Sequence, residues 1–393
     1  MSSESLGQRV LILDVASTAP LHPGGIMAGT GRVTVAHATY LQQHGHSVTV
    51  VARLACPPGP YQGVQYVHCD SPAALRAFFR QHPCWDVALV VASPKVLMLT
   101  YWLPRLRLRL LSVHIGPMAT PEEAVARQRI WRMNAFADAV LCVSNALAAL
   151  LRSQGVRAEK LHVVHNGVDT RVFYPHPVPR QKRRLVFAGA LVPLKGIDTL
   201  LQAFGQVKAH FADAELVICG AAELYGRTAY RPDPALLPGD GSVQFRGSLS
   251  QAELAREFSQ AALAVVPSSA RRCFEGFGMV SLEAQACGCP VVVTHNGGLP
   301  ETVIDGVTGR VCPPDDPEAL AKCLCDLLAE PLRLQRMGAA ACAHVRQRFT
   351  WERTLQPLGD LVARAAGTAS LPGYARYVVR WAGLLADRLR YGA

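Results

Sequence analysis

Acidic residues are scarce in this chain: 29 Asp and Glu stand against 40 Lys and Arg among 393 residues, a formal charge of +11 at pH 7. The deficit is largest in the first half, where residues 1–175 carry 16 basic and 9 acidic side chains. Long hydrophobic runs are missing as well. The stretches 87–92 and 185–190 are strand-sized, too short for a helix to cross a bilayer. The first residues show no basic-then-apolar signal pattern, so a cytoplasmic location is expected. Paired C-x-x-C spacing is absent among the twelve cysteines. Cys219, Cys287, Cys289, Cys323, Cys325 and Cys342 fall among small apolar residues and read as reduced core thiols. No His/Cys cluster has zinc spacing, and Asp315-Asp316, hemmed in by Pro313, Pro314 and Pro317, reads as a helix cap; no metal or other cofactor is expected. A Ser-centred nucleophile elbow is lacking too. Gly29-x-Gly31 has Thr34 where a dinucleotide fingerprint needs a third glycine, and no acid closes the strand after Val51, which disfavours an NAD-dependent oxidoreductase.

What the chain does have is length and regular alternation. Half of its residues are hydrophobic, enough for two domains with substantial cores. Apolar strand-like runs at 10–15, 48–52, 139–143 and 161–164 alternate with amphipathic helical runs at 31–44 and 145–154. Such alternation specifies parallel strands covered by helices. Pro175, Pro177 and Pro179 and the polar residues 181–184 then break the pattern, which reads as an interdomain linker. A second series follows, with strands at 185–188, 215–219, 243–246 and 263–266 and helices at 197–209 and 251–261. The fold class is therefore α/β, two Rossmann-like halves. The expected domains are 1–170, a linker over 171–184, a second domain over 185–360 and terminal helices over 361–393. Residues 221–240, rich in proline, read as a surface loop. Beyond 317 the pattern is helical, at 317–329, 332–349, 351–366 and 374–389. The last of these pairs Arg376, Arg380, Arg388 and Arg390 with Tyr374, Tyr377, Trp381 and Leu384. Packing against the first domain is preferred for it over a membrane surface.

Two carboxylates eight positions apart, Glu275 and Glu283, straddle a strand-to-helix junction in Phe274-Glu275-Gly276-Phe277-Gly278-Met279-Val280-Ser281-Leu282-Glu283. The strand over 263–266 stops at Pro267, and Gly276 and Gly278 open a helix whose early amides have no intrahelical acceptor and attract phosphate. Glu275 in the loop mouth is placed to accept hydrogen bonds from ligand hydroxyls; the alternative is a first-turn acid stabilised by the helix dipole. Glu283, among apolar neighbours, needs a partner, either a ligand diol or a buried cation. Lys195 follows the strand at 185–188, at the carboxyl end where open α/β sheets bind ligands. His114 ends the apolar run 110–113, where it can position a hydroxyl or be satisfied by backbone. The loop 20–31 contains Gly24-Gly25 and Gly29-Thr30-Gly31, and Gly29 and Gly31 are the preferred pair for close backbone approach to a phosphate or sugar, with Arg32 following. Arg105, Arg107 and Arg109 alternate with leucines and read as a solvated basic edge rather than an anion site. No nucleic-acid-binding motif accompanies the positive charge.

The Glu275–Glu283 stretch resembles the E-x7-E motif of retaining glycosyltransferases of family 4, which have the GT-B fold. The resemblance extends to His165-Asn166-Gly167-Val168-Asp169, to Gly189–Gly196 with the following helix, to Gly288-Cys289-Pro290, to Gly297-Gly298-Leu299-Pro300-Glu301 and to Asp305–Gly309, in order over roughly residues 8–352. It implies two domains facing a cleft, with the terminal helix crossing back to the first. The implied reaction moves a sugar from a nucleoside-diphosphate donor, UDP more than GDP, to a hydroxyl on a small-molecule or glycoside acceptor, with retention and without metal. Glu275 would contact the donor sugar, Glu283 the ribose, and Lys195 the diphosphate. Arg246 in the Phe245-Arg246-Gly247 turn and the amides of Gly276, Phe277, Gly278 and Met279 would hold the nucleotide, and His114 would meet the sugar. One departure stands out. The family places an arginine five residues before the lysine, where this chain has Ala190, and Arg271 or Arg272 is expected to replace the missing charge. The alternatives are a nucleotide-sugar epimerase and a non-catalytic sugar-nucleotide-binding protein.

Overall fold

The structure, a computed structural model, describes residues 7–366 apart from 16, 18–20, 22–28, 57–58, 104, 115–122 and 222–231. The chain divides into two compact units: one runs to His165 and also includes 355–366, and the other is Asn166–Thr354. The second unit thus takes in residues 171–184, which the sequence reading set apart as a linker.

In the first unit eight strands form one sheet. They are β1 (Arg9–Asp14), β2 (Ser47–Ala52), β3 (Gly59–Tyr61), β4 (Val64–His68), β5 (Val87–Val91), β6 (Leu108–Val113), β7 (Ala139–Cys142) and β8 (Leu161–Val163), in the order β3-β4-β2-β1-β5-β6-β7-β8. Every pair is parallel except β3–β4. Helices on both faces explain the unbroken apolar runs: Val10 to Leu13 and Val87 to Val91 are all 0% exposed. The 59–68 hairpin has no counterpart in the sequence reading, because its three-residue first strand, Gly-Pro-Tyr, carries no alternation.

The second unit is a six-stranded parallel sheet of β9 (Arg184–Ala188), β10 (Glu215–Cys219), β11 (Val243–Gly247), β12 (Leu263–Val266), β13 (Val291–Thr294) and β14 (Gly309–Cys312). Their order is β11-β10-β9-β12-β13-β14, the doubly wound arrangement, in which the winding direction reverses between β9 and β12. Leu185, Phe187, Leu200, Phe204, Ile218, Leu263 and Leu324 lie in one core cluster between this sheet and its helices.

Three expectations need correction. The proline-rich stretch 171–184 is irregular but not a free linker. Phe173 is 2% exposed, the Gln181 amide donates to the Gln260 carbonyl, and the Arg180 guanidinium donates to the carbonyls of Ala261 and Cys287. Proline removes ladder donors without preventing packing. The helix expected over 351–366 is two pieces, Trp351–Thr354 and Gln356–Ala366, and Pro357 sits in the first turn of the second, where a missing amide costs nothing. The second piece packs on the first unit, its backbone at Gly359 lying against Tyr40 of helix Gly29–Gln43. The solvated strand edge or loop expected for the alternating arginines holds only for Arg105, which is exposed ahead of β6; Arg109 lies on β6, an interior strand. Arg109 is 4% exposed, stacked over Tyr101 at 4.3 Å with Asp138 3.9 Å away, and Arg107 lies 3.8 Å from Asp86. The expected helix at 374–389 lies outside the described residues, as does half of the expected loop at 221–240. All twelve cysteines are free thiols, and burial raises the pKa of Cys142 and Cys219, both in strands, to about 12.

Candidate active site

The crevice at the β9/β12 reversal is where two loops from opposite windings meet. After β9 the chain forms a 3-10 turn, Pro193–Lys195, and then Gly196, which starts helix Ile197–His210. Gly196 has φ +71°, and a Cβ there would lie 1.8 Å from the carbonyl oxygen of Pro267, the first residue after β12. Only glycine permits both that conformation and that approach. The Ser269 amide donates to the Leu194 carbonyl at 3.0 Å and so joins the same two loops.

Lys195 Nζ donates to Glu275 Oε2 at 2.6 Å, and the Ser268 hydroxyl donates to the same oxygen at 2.9 Å. The Glu275 side chain is 14% exposed and that of Lys195 29%. Burial would raise the Glu275 pKa, but the Lys195 charge and the hydrogen bonds from Lys195 and Ser268 outweigh it and hold the carboxyl below its ordinary value. The site therefore keeps a fixed carboxylate beside a fixed ammonium. The Glu275 backbone is clamped from β13: its amide donates to Asn296 Oδ1 at 3.2 Å and its carbonyl accepts from the Gly298 amide at 2.9 Å. Gly297 lies against it so closely that a Cβ would come within 2.0 Å of the Glu275 carbonyl oxygen. Asn296 in turn donates to the carbonyls of Ser268 and Cys273.

Four residues beyond Glu275 the chain enters helix Met279–Ala286. Gly276 and Gly278 precede it; the Ser281 amide donates to the Gly278 carbonyl at 3.0 Å, and the Met279 and Val280 amides before it lie ahead of any acceptor four residues back within the helix. Phe277 is 2% exposed and packs its ring 5.9 Å from Phe349, so any ligand contact from this residue is through its amide. Glu283, in the middle of the helix, is 2% exposed. Helical side chains lean toward the N-terminus, which carries its carboxylate toward the Gly278 end. The helix is pinned from behind by Ser281, whose hydroxyl bonds Thr302 at 2.7 Å, and by Gln285, which donates to the Thr302 carbonyl at 2.8 Å.

Arg246 lies on the edge strand β11 rather than in a turn, 3.4 Å from Glu257, which also binds the buried Arg184 at 2.7 Å. Arg271 and Arg272 are exposed. Their loop is held by Asp315, whose carboxylate accepts from the amides of Ala270 and Arg271, both at 3.1 Å. Of the Asp315-Asp316 pair, only Asp316 caps the following helix, accepting from the Ala319 amide at 2.9 Å; Asp315 instead secures the loop before Glu275.

In the first unit the winding reverses between β1 and β5. Asp14 closes β1 and accepts from the Ser17 amide and hydroxyl and from the Thr34 hydroxyl, at 2.9, 2.6 and 2.6 Å. His114 follows β6, 9% exposed, with its Nε2 2.9 Å from the Ser112 hydroxyl. Its ring centroid lies 6.4 Å from that of His37, itself 3% exposed. Burial pushes the His37 pKa down to about 3, helped by His114, and pushes that of His114 down to about 4 against the opposing effect of Asp14. Gly29 and Gly31 form the first turn of helix Gly29–Gln43 rather than a loop, and Gly24-Gly25 lies outside the described residues.

The histidine pair makes stability depend on acidity. His37 is neutral in the fold and protonates near 6.5 once unfolded, so its contribution is complete above that pH and is lost as the pH falls below it. Between pH 7.0 and 5.5 the wild type should lose about 1 kcal/mol more than the His37→Leu variant. Urea unfolding at the two pH values measures this, and equal losses in both proteins would refute it.

Sequence reasoning overlooked Asp14, His37, Ser112, Ser268 and Asn296. Asp14 had a legible signal, an acid closing an all-apolar strand, and so did Ser268, the first hydroxyl after a strand-ending proline. His37 sits in a helix with no spacing signal.

Two parallel-sheet units, the second wound in Rossmann order with a lysine–glutamate pair at its point of reversal, define an α/β protein of the GT-B class. The family model described as Glycosyltransferase Family 4 matches residues 27–172, and the one described as Glycosyl transferases group 1 matches residues 170–344. The chain belongs to this group 1/family 4 of GT-B glycosyltransferases. Among curated relatives it is 33% identical over 252 residues, 61% of this chain, to the GDP-mannose-dependent alpha-(1-6)-phosphatidylinositol monomannoside mannosyltransferase of Mycolicibacterium smegmatis, and matches 65% of that protein's length. It is 28% identical over 404 residues to the D-inositol 3-phosphate glycosyltransferase of Segniliparus rotundus, covering 89% of this chain and 88% of that one. For some relatives the match spans only half of their length, as with the D-inositol 3-phosphate glycosyltransferase of Streptomyces bingchenggensis at 50%. Among solved structures, the sucrose-phosphate synthase of Thermosynechococcus elongatus aligns with a TM-score of 0.75 at 23% identity, over 91% of this chain and 98% of that one. The Anabaena protein HepE in complex with UDP-glucose aligns with a TM-score of 0.74 at 19% identity, over 91% and 100%. At these identities the structures speak for the fold.

Proposed function

We propose that this glycosyltransferase moves a hexose from a nucleoside-diphosphate sugar to an acceptor hydroxyl with retention at the anomeric carbon. The observation that carries this reading is the Lys195–Glu275 pair, 2.6 Å apart across the point where the second sheet reverses. When the sugar bond breaks, charge grows on the diphosphate, and the fixed ammonium together with the amides at the start of helix Met279–Ala286 stabilises it there. Glu275, kept ionised by Lys195 and Ser268, accepts from hydroxyls of the donor sugar. Glu283 takes the ribose diol, whose two hydroxyls match one carboxylate. Arg271 or Arg272 supplies the charge that Ala190 lacks, on the loop that Asp315 fastens just before Glu275. The departing phosphate oxygen takes the acceptor proton on the face it leaves, so the pair needs no nucleophilic carboxylate and no metal.

The donor base has two candidates. The resemblance implies UDP more than GDP, whereas two of the relatives are named as GDP-mannose-dependent. The names of several others include D-inositol 3-phosphate, and an anionic polyol acceptor suits the basic first half of the chain. Incubating the protein with GDP-mannose or UDP-glucose, with inositol 3-phosphate or a phosphatidylinositol mannoside, and with EDTA present, should yield an α-linked product resolvable by NMR. The Arg271→Ala/Arg272→Ala double variant should raise the donor KM by about 10-fold, the loss of one charge-assisted contact. Donor consumption without a glycoside product would favour an epimerase, and nucleotide binding without any turnover would favour a binding protein.

A further inference from the structure

Ser112 and His114 stand two residues apart at the carboxyl end of β6, so their side chains leave the strand on the same side. Ser112 is 1% exposed, which removes water as a competitor for its hydroxyl, and its oxygen lies 2.9 Å from His114 Nε2. The other ring nitrogen, Nδ1, is buried and has no hydrogen-bond partner among the described residues. With a pKa near 4 the ring is neutral at pH 7, so it carries one hydrogen, on one nitrogen or the other.

The two placements of that hydrogen are not equivalent. If Nε2 carried it, the ring would donate to the Ser112 oxygen, leaving both the hydroxyl hydrogen and the Nδ1 lone pair unused in a buried place. If Nδ1 carries it, the hydroxyl donates to the Nε2 lone pair, and a single group, the Nδ1 hydrogen, is left over. A buried polar group without a partner is costly, so the second arrangement, which leaves one rather than two, is preferred. We propose that Ser112 is a positioning residue that holds His114 as the Nδ1–H tautomer and thereby presents one ring N–H donor to an oxygen of the bound sugar or acceptor. The proposal rests on the glycosyltransferase reading for the identity of the ligand, but the tautomer itself is a property of the protein alone. His37, buried and neutral, adds no competing charge.

The test pairs a tautomer measurement with kinetics on the full-length chain. In protein labelled with 15N-histidine, the His114 signals are assigned by their loss in His114→Gln, and long-range proton–nitrogen correlations at pH 7 report which nitrogen bears the hydrogen. The expected result is Nδ1–H in the wild type and in Ser112→Thr, which keeps the hydroxyl, and a mixture of tautomers in Ser112→Val, which keeps the shape of threonine without it. Turnover should fall about 10-fold in Ser112→Val with the donor KM within twofold, and Ser112→Thr should recover most of it. A wild type with the hydrogen on Nε2 overturns the proposal even if both variants fail to fold. So does a Ser112→Val protein with wild-type tautomer, or one with altered tautomer and unchanged turnover. A wild type that transfers no sugar would sink the functional reading, and the nitrogen spectra would still decide the role of Ser112.

Discussion

Replacing Lys195 with Ala is expected to lower turnover by about 10²–10³-fold, the usual cost of removing one group aimed at charge that develops in the transition state. The loss should appear mainly in kcat, because the ammonium gains most of its interaction as the diphosphate departs. A second effect follows from the geometry. Glu275 is 14% exposed and owes its depressed pKa first to the Lys195 charge acting against burial, so without Lys195 burial prevails and the carboxyl rises. The variant should therefore lose activity further as the pH drops toward 6, a dependence the wild type lacks. Lys195→Met combined with Glu275→Gln removes both charges and should recover the folding stability that Lys195→Met alone loses, about 2 kcal/mol after allowance for the partly exposed lysine, without recovering turnover. Initial rates across pH 6–8 and denaturant unfolding check the two halves separately. Turnover within threefold of the wild type in Lys195→Ala would remove this pair from the chemistry.

Gly196→Ala should be among the most destabilising single methyls that can be added to the second unit. The new Cβ would sit 1.8 Å from the Pro267 carbonyl oxygen, in a backbone with φ +71°. Backbone cannot swing aside as a side chain does, so the turn carrying Lys195 must part from the strand end carrying Ser268 and Glu275. Overpacking and left-handed strain each cost about 1–3 kcal/mol, and together they reach about 5 kcal/mol, comparable with the whole stability of many domains. Insoluble protein, or a Tm lower by 10 °C or more with no turnover, is the expected outcome. Gly205→Ala is the control, being in the middle of helix Ile197–His210 with nothing within 4 Å of the added Cβ; it should be neutral or stabilise by up to about 1 kcal/mol. If the two substitutions behave alike in thermal unfolding, the close approach of the two loops is not a constraint.

Much of the candidate site was legible because it is built from local signals. Lys195 and Glu275 each follow an apolar run that ends in a turn, and a parallel strand delivers its next loop to the ligand edge whatever its neighbours are. The helix after Gly278 and the cap at Asp316 are likewise short-range chemistry. Arg246 shows the limit of such reasoning. Its motif suggested a ligand-facing turn, but the side chain's neighbour, Glu257, comes from a helix eleven residues away whose inner face only the fold reveals.

Hydrophobic periodicity and the glycine and proline positions determined by themselves that this is a two-unit α/β chain with a helix opening after Gly278. They do so because strands, helices and turns are selected by residues within a few positions of one another. Only the tertiary structure decided that Arg109 is buried on an interior strand, that residues 171–184 are packed down, that the Ser112 hydroxyl meets His114 with the His37 ring nearby, and that Asp14 accepts from Thr34. Strand order is what brings those residues together, and it is settled by the burial of whole faces against one another, a quantity spread over the entire chain and written at no single place in it.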